Sequence, residues 1–219
     1  MQLGDPAPDF TALSTASATE PLHFYSWLDD SWCILFSHPA DFTPVCTTEL
    51  GAVARLHTAF KKRNCKVLAL SIDPLEAHHA WTKDIEETQN CSVQFPIIAD
   101  DGTVARLFGM LDNPLHDPTN MRDGLPLTVR TVFIIDPKRK VRLMLTYPAA
   151  VGRNFDEILR ALDALQLADR RPIATPADWQ PGQEVIVRFD MSDQDAEKEF
   201  GSFRTVKPYL RFTQLKLDE

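Results

Sequence analysis

The sequence is poor in cysteine, and its cysteines are unevenly placed. Four thiols, Cys33, Cys46, Cys65 and Cys91, occur in 219 residues, none beyond position 91 and no two in C-x-x-C spacing. That pattern argues against a disulfide scaffold and against a Cys-rich zinc site. In a reducing compartment the expected state is four free thiols. Long apolar runs are missing as well. The longest clean one, Trp32-Cys33-Ile34-Leu35-Phe36, falls far short of the roughly 18 residues that span a bilayer. The opening Met1-Gln2-Leu3-Gly4-Asp5-Pro6 has neither the basic region nor the apolar stretch of a signal peptide. The expectation is therefore a cytoplasmic protein with no membrane span. A basic surplus is also absent. Lys and Arg number 23 against 31 Asp and Glu, a net charge of −8, which argues against a nucleic-acid partner. No internal repeat and no low-complexity tract is found.

What is present is ordinary globular material. The hydrophobic fraction is 44% and the charged fraction 25%, and thirteen Phe with four Trp supply a core, so global disorder is excluded. Residues 14–21 are small and polar and read as a loop or hairpin end. The run 32–36 reads as a buried strand. From about 44 to 62 the pattern is helical, with Leu50, Val53, Ala54, His57 and Phe60 on one stripe. Pro44 suits a first turn, and Lys61-Lys62-Arg63 suits the end of the helix dipole. Strands are expected at 67–72 and 95–99, and helices at 75–88 and 103–109. A hairpin joins 129–135 to 141–147 through a charged turn. A helix begins at Asn154, with Glu157 as a capping-box partner and Phe155, Ile158, Leu159, Leu162 and Leu165 on its apolar face. The alternation of strands and helices implies a central mixed sheet with helices on its faces. After about 170 prolines punctuate short elements, and Asp193 to Phe200 reads as an acidic helix ended by Gly201. The expected division is 1–169 as the main domain and 170–219 as an extension too small to be stable alone.

One stretch carries chemistry, Phe36-Ser37-His38-Pro39-Ala40-Asp41-Phe42-Thr43-Pro44-Val45-Cys46-Thr47-Thr48-Glu49-Leu50. It leaves a buried strand and enters a helix, with Cys46 in the first turn. Unpaired N–H groups and the positive end of the dipole favour a thiolate there. Thr43 lies three residues earlier, so its hydroxyl is able to meet the sulfur or a bound oxygen. On the residues alone two readings stand, a nucleophile or a small buried apolar residue.

The segment resembles the active-site signature of the peroxiredoxins, Pro-x-x-x-Thr-x-x-Cys, in Pro39, Thr43 and Cys46. The flanks Phe-Ser-His-Pro and Pro-Val-Cys-Thr-Thr-Glu-Leu are similar to the one-cysteine, peroxiredoxin-6 type subgroup. Further likeness runs through Phe95-Pro96-Ile97-Ile98, Leu125 to Arg130, Tyr147 to Asn154 and, in the tail, Ala174 to Trp179. The resemblance implies a thioredoxin-like α/β fold and a thiol-dependent peroxidase of hydrogen peroxide and organic hydroperoxides. It implies that Cys46 attacks the peroxide and becomes a sulfenic acid, that Thr43 orients peroxide and thiolate, and that Arg130 stabilises negative charge. Pro39 then shields the pocket, Glu49 orients the arginine, and His38 stands near the sulfur. The resemblance implies no metal and no organic cofactor, and a homodimer to which the tail contributes. Peroxide cleavage leaves charge on the departing oxygen, so fixed donors lower its barrier, and a guanidinium keeps its proton near pH 7. The sulfur must also be reachable by a small molecule.

A sulfenic acid is reduced by another thiol. Two-cysteine members carry a resolving cysteine in the C-terminal region, and this chain has none there. An external thiol, glutathione or a thioredoxin-like protein, is the expected reductant. Cys91 is the only candidate for an internal or intersubunit role, while Cys33 and Cys65 read as packing residues. Some relatives add a phospholipase function on Gly-x-Ser-x-Gly. Here the matching stretch is Asp29-Asp30-Ser31-Trp32-Cys33, with Tyr25 and Lys138 at the positions of base and acid, so Ser31 reads as a turn residue. His78 and His79 are adjacent, face different directions on a helix, and read as surface or partly buried residues. The rival functional class is a redox sensor or chaperone that changes assembly or partner binding when Cys46 is oxidised.

Overall fold

The computed structural model describes residues 1–113 and 121–215. It divides into two compact units, Met1–Phe155 and Asp156–Glu219. The division falls inside the helix that begins at Phe155, ahead of the break expected near 169.

The first unit is built on a seven-stranded mixed sheet. Its strands are β1 (Thr11–Ser14), β2 (Ser17–His23), β3 (Trp32–Ser37), β4 (Cys65–Ser71) and β5 (Ile97–Ala99). With them lie β8 (Arg130–Ile135) and β9 (Val141–Tyr147), following a two-stranded hairpin of β6 (Met121–Arg122) and β7 (Leu125–Pro126). The order is β2-β1-β5-β4-β3-β8-β9. β3, β4 and β5 run parallel, and β8, β9, β1 and β2 join antiparallel. The helices are α1 (Phe24–Leu28), α2 (Pro44–Lys62), α3 (Leu75–Gln89) and α4 (Thr103–Phe108).

The central strands read as unbroken apolar runs because both faces of the sheet are covered. Cys33 and Leu35 of β3, Leu68 and Leu70 of β4, Ile98 of β5 and Phe133 and Ile135 of β8 join one core cluster with Phe10, Phe24 and Phe108. Their alternates Ile34, Phe36, Val67, Ala69, Ile97, Val132 and Ile134 are buried as well. Three expectations shift at their edges. The polar stretch 14–21 is the turn and part of the strands of the β1–β2 hairpin. The strand expected at 67 starts at Cys65, because it pairs in register with β3 from Trp32 onward. The strand expected from 95 starts at Ile97. Helix α2 spans the range its stripe predicts, with Leu50, Val53, Ala54 and Phe60 buried and only His57 of the stripe half-exposed.

The second unit holds the rest of α5 (Phe155–Arg170), then β10 (Ile173–Ala174), β11 (Val185–Val187), α6 (Asp193–Phe200), β12 (Arg204–Lys207) and β13 (Leu210–Thr213). Its strands form an antiparallel sheet in the order β10-β11-β13-β12. A small cluster of Ile173, Trp179 and Val185 sits at its centre. Ile158 and Leu162 of α5 are buried as expected, whereas Leu159 and Leu165 are half-buried and Ala161 takes a buried place. Glu157 accepts from the Arg160 guanidinium. The acidic helix is α6, started by Ser192, whose hydroxyl oxygen accepts from the Asp195 N–H, and ended at Gly201. Residues 216–219 of the expected extension lie outside the described residues. Among the described residues no helix is long and apolar enough to cross a membrane.

Candidate active site

The site forms where β3 ends and α2 begins. The loop between them is tied to its neighbours through polar side chains. Ser37 donates its hydroxyl to Val129 O, Thr128 donates to His38 O, and His38 N–H donates to Leu70 O at 3.0 Å. Thr43 is the N-cap of α2, with extended backbone, and Pro44 fills the first turn. Its hydroxyl does not cap the helix. It donates to Ala40 O at 2.8 Å, which closes the loop on itself. Phe42 has φ +56°, a left-handed backbone that is strained for a bulky residue, and its ring is 55% exposed.

Cys46 lies in the first turn of α2, at its third residue, with no acidic neighbour in that turn. Arg130, the first residue of β8, reaches it across the sheet, and its Nη1 donates to Cys46 Sγ at 3.2 Å. The same nitrogen donates to Glu49 Oε2 at 2.7 Å. The other face of the guanidinium is pinned by Ala149 O, which accepts from Nε and Nη2 at 2.8 and 2.6 Å. Arg130 is thus held by a carboxylate and a carbonyl, and its Nη1 is shared between Glu49 Oε2 and the Cys46 sulfur.

Glu49 is shared between two arginines. Arg153 donates to it from its backbone N–H, Nε and Nη2 at 2.8, 2.9 and 2.7 Å. Its Nη1 donates to Ser37 O and Thr131 O. Burial is the largest influence on the Glu49 carboxyl and pushes it up, but the hydrogen bonds and charge of Arg153, with the charge of Arg130, outweigh it and hold the group below the usual carboxylate range. The Glu49 carboxylate with two guanidiniums leaves one positive charge over for an anionic sulfur. Arg153 escaped the sequence reading as a site residue. Its only signal was its place in the Tyr147–Asn154 resemblance, because a lone arginine after a strand reads as a surface charge.

His38 and Pro39 are buried in the same loop. His38 Nε2 lies 2.8 Å from Asp41 Oδ1, and Asp41 Oδ2 lies 2.6 Å from His78 Nδ1. His78 is therefore a fully buried residue of this network, not a surface or partly buried one. His79 next to it is exposed, as opposite directions on a helix require. The ligand-type atoms of His38, Asp41 and His78 lie within 4.8 Å of one another. Their separations are those of hydrogen bonds, and we assign no metal to them. Trp81 brackets the region. Its ring centroid is 5.1 Å from His38, and its indole N–H donates to Thr47 Oγ1 at 3.1 Å.

Cys46 itself is 0% exposed, which departs from the expectation of a sulfur that a small molecule reaches directly, so any reaction there needs a local opening. The other thiols lack comparable partners. Burial, helped by the nearby Cys65, raises the Cys33 thiol well above its ordinary value, and burial also pushes up Cys65 and Cys91. Cys91 is half-buried and contacts Ile85 O. All four cysteines are free. Ser31, the residue matching the phospholipase serine, donates to Asn64 Oδ1 at 3.3 Å at the turn before β3. The Tyr25 hydroxyl donates to Ala7 O, and Lys138 is exposed.

Residues 3–144 match the AhpC/TSA family, and residues 164–202 match the C-terminal domain of 1-Cys peroxiredoxin. Peroxiredoxin-6 of Mus musculus is 50% identical over 222 residues, covering 96% of both chains. The mitochondrial peroxiredoxin PRX1 of Saccharomyces cerevisiae is 48% identical over 218 residues, covering 99% of this chain and 82% of that one. A cysteine-to-serine mutant of peroxiredoxin 6 of Arenicola marina superposes with a TM-score of 0.90 at 43% identity, covering 98% of each chain. A yeast mitochondrial 1-Cys peroxiredoxin, described for thiol resolution via glutathione/thioredoxin systems, superposes at 0.89 with 46% identity, covering 98% of this chain and 100% of that one. The thioredoxin-like α/β fold, the one-cysteine pattern and the full-length likeness agree, and the chain belongs to the peroxiredoxins of the AhpC/TSA family, in the one-cysteine, peroxiredoxin-6 type subgroup of thiol-dependent peroxidases.

Proposed function

We propose that Cys46 is the sulfur that carries the peroxidase reaction and that Arg130, Thr43, Glu49, Pro39 and His38 support it. The observation that carries this reading is the 3.2 Å donor contact from Arg130 Nη1 to Cys46 Sγ. The thiolate attacks the terminal oxygen of a hydroperoxide. The S–O bond forms, the O–O bond breaks, and the sulfur is oxidised to a sulfenic acid. The departing alkoxide, or hydroxide, takes one proton and leaves as alcohol or water. Arg130 offers fixed donors to charge moving from sulfur to leaving oxygen, without reorganising as it moves. Thr43 uses its O–H to donate to Ala40 O, so its oxygen remains as an acceptor for a peroxide O–H. Glu49 aims Arg130, with Arg153 holding Glu49 in turn. Pro39 keeps water from the sulfur. Because the sulfur is covered, a local opening precedes attack.

The cycle closes with an external thiol. One thiol displaces water from the sulfenic acid to give a mixed disulfide, and a second releases Cys46 and leaves as the disulfide. Glutathione or a thioredoxin-like protein fits, as it does for the yeast relative. This reading includes a homodimer, with 170–219 as the extension that serves it, and a cytoplasmic location, although the yeast relative is named mitochondrial.

The test is peroxide consumption with glutathione and with thioredoxin in parallel, for the native chain and Cys46→Ser. Sustained turnover with at least one donor, lost in the serine variant, is expected. Stoichiometric oxidation without turnover, accompanied by a change of assembly, would favour the redox-sensor reading instead.

A further inference from the structure

His38, Asp41 and His78 form a line of three side chains with no solvent exposure. Their proton arrangement follows from what each atom faces. His78 Nε2 lies 3.1 Å from Ile98 O. A carbonyl oxygen only accepts, so Nε2 carries a proton. His78 Nδ1 faces Asp41 Oδ2 at 2.6 Å. Burial is the largest influence on Asp41 and pushes its carboxyl up, yet hydrogen bonds from both histidines outweigh it and hold it below the usual range. Near neutral pH that carboxylate is an acceptor only, so Nδ1 of His78 carries a proton too. His78 thus faces an acceptor at both ring nitrogens, the hydrogen-bonding pattern that an imidazolium satisfies against the Asp41 carboxylate.

His38 is different. Burial, the largest influence, lowers its proton affinity, the hydrogen bond and charge of Asp41 oppose that, and the charge on His78 lowers it further. Its Nε2 donates to Asp41 Oδ1, and its Nδ1 has no hydrogen-bond partner among the described residues. Among the described residues, Asp73 and Arg122 are further charged groups beside the line. Asp73 accepts from the Asp41 backbone N–H at 3.1 Å and from the Ser71 hydroxyl at 2.7 Å, and pairs with Arg122. This fixes the backbone that carries Asp41.

We propose that Asp41 and His78 are positioning residues of the peroxidase site. The His78 imidazolium holds the Asp41 carboxylate, and the carboxylate holds His38 as the neutral Nε2–H tautomer, with a bare Nδ1 lone pair kept for a hydroxyl donor such as the hydroperoxide. The proposal rests on the assignment of His38 to the reaction. It extends that assignment to a residue on α3 and to a charge state. A histidine's free nitrogen is set by the bond its other nitrogen makes, so the state of His78 decides what His38 offers.

The first test needs no variant. Nitrogen-15 imidazole spectra of the reduced native chain near pH 7.5 are expected to show both His78 nitrogens protonated. His38 is expected to be protonated at Nε2 and bare at Nδ1. A neutral His78, or a His38 bare at Nε2, overturns the proposal whatever the enzyme's activity. The second test uses Asp41→Asn and His78→Gln. In Asp41→Asn the amide donates toward His78 Nδ1, so His78 becomes a neutral Nε2–H tautomer, and His38 gains its second proton at lower pH than in the native chain. In His78→Gln the opposing cation is gone, so His38 gains that proton at higher pH. The acid limb of kcat/KM for hydrogen peroxide is expected to move in opposite directions in the two variants. The plateau is expected to fall by ~10–100-fold, as for outer partners of other functional histidines. Equal shifts, or an unmoved limb with only a lower melting temperature, overturn the proposal. If the imidazole pattern is as stated but native turnover is absent, the peroxidase assignment has failed and the charge state has not.

Discussion

Cys33 and Cys46 stand at opposite ends of one strand's influence, and both are fully buried. Cys33 lies inside β3 among Leu35, Leu68, Phe133 and other apolar side chains. Burial raises its thiol well above the ordinary value, and the charge of nearby Lys66 offsets only a small part of that. Cys46 comes nine residues after the strand ends, in the first turn of α2, and Arg130 donates to it at 3.2 Å. Burial alone therefore does not separate an inert thiol from a reactive one. What separates them is whether the protein supplies a donor for the charge that burial would penalise. The Arg153–Glu49–Arg130 cluster is that supply.

The largest contrast is expected from serine at each position. Cys46→Ser should reduce peroxide turnover by more than about 10³-fold with the fold intact, since no other thiol here has the partners to replace it. Cys33→Ser should leave turnover per folded molecule near native and lower stability by ~1–3 kcal/mol, the cost of an underbonded buried hydroxyl. Peroxide consumption beside a denaturant melt reads both, and equal activity losses would erase the contrast. Next comes Arg130→Gln. Removing one preorganised donor costs ~10²–10³ in kcat, while Glu49 keeps Arg153, so folding should survive. Single-turnover oxidation of Cys46 by hydrogen peroxide measures this.

A third expectation concerns pH. Glu49 has a folded pKa below its unfolded value, so its stabilising contribution is present above the unfolded value of about 4.3 and is lost as pH falls from there through the folded value. Glu49→Gln should therefore melt at lower temperature than the native chain at pH 7, with the gap narrowing below about pH 4. A gap that stays constant with pH would contradict the ion-pair account. The smallest effect is expected from Cys91→Ser, less than about twofold in turnover with an external thiol, because Cys91 is distant in sequence from the cluster and its thiol is raised by burial. A large loss with folding preserved would restore an internal resolving role for Cys91.

Local pattern accounts for much of the fold. The stripe Leu50, Val53, Ala54, Phe60 with Pro44 in front marks α2 over its whole length, Pro44–Lys62, since a 3.6-residue period and an N1 proline are properties of the chain itself. The runs at 32 and 67 mark the two central strands. The elements that escaped are edge and short strands with little apolar alternation of their own. The edge hairpin β1–β2 joins the sheet through β5, and the four short strands of the second unit are only two to four residues each. Such segments carry too few residues to show a period.

The site divides in the same way. The chain places Cys46 in a helix's first turn and His38, Pro39 and Thr43 beside it, because those positions are contiguous. Arg130 is 84 residues from Cys46, Arg153 is 104 from Glu49, and His78 is 37 from Asp41. A charge's meaning depends on what it faces, and no local rule carries that across such separations. The pairing of β8 beside β3 brought a guanidinium to a sulfur, and the packing of α3 put an imidazole against a carboxylate. Composition and spacing supplied the reactive atom, and only the folded sheet supplied the charges that let it react.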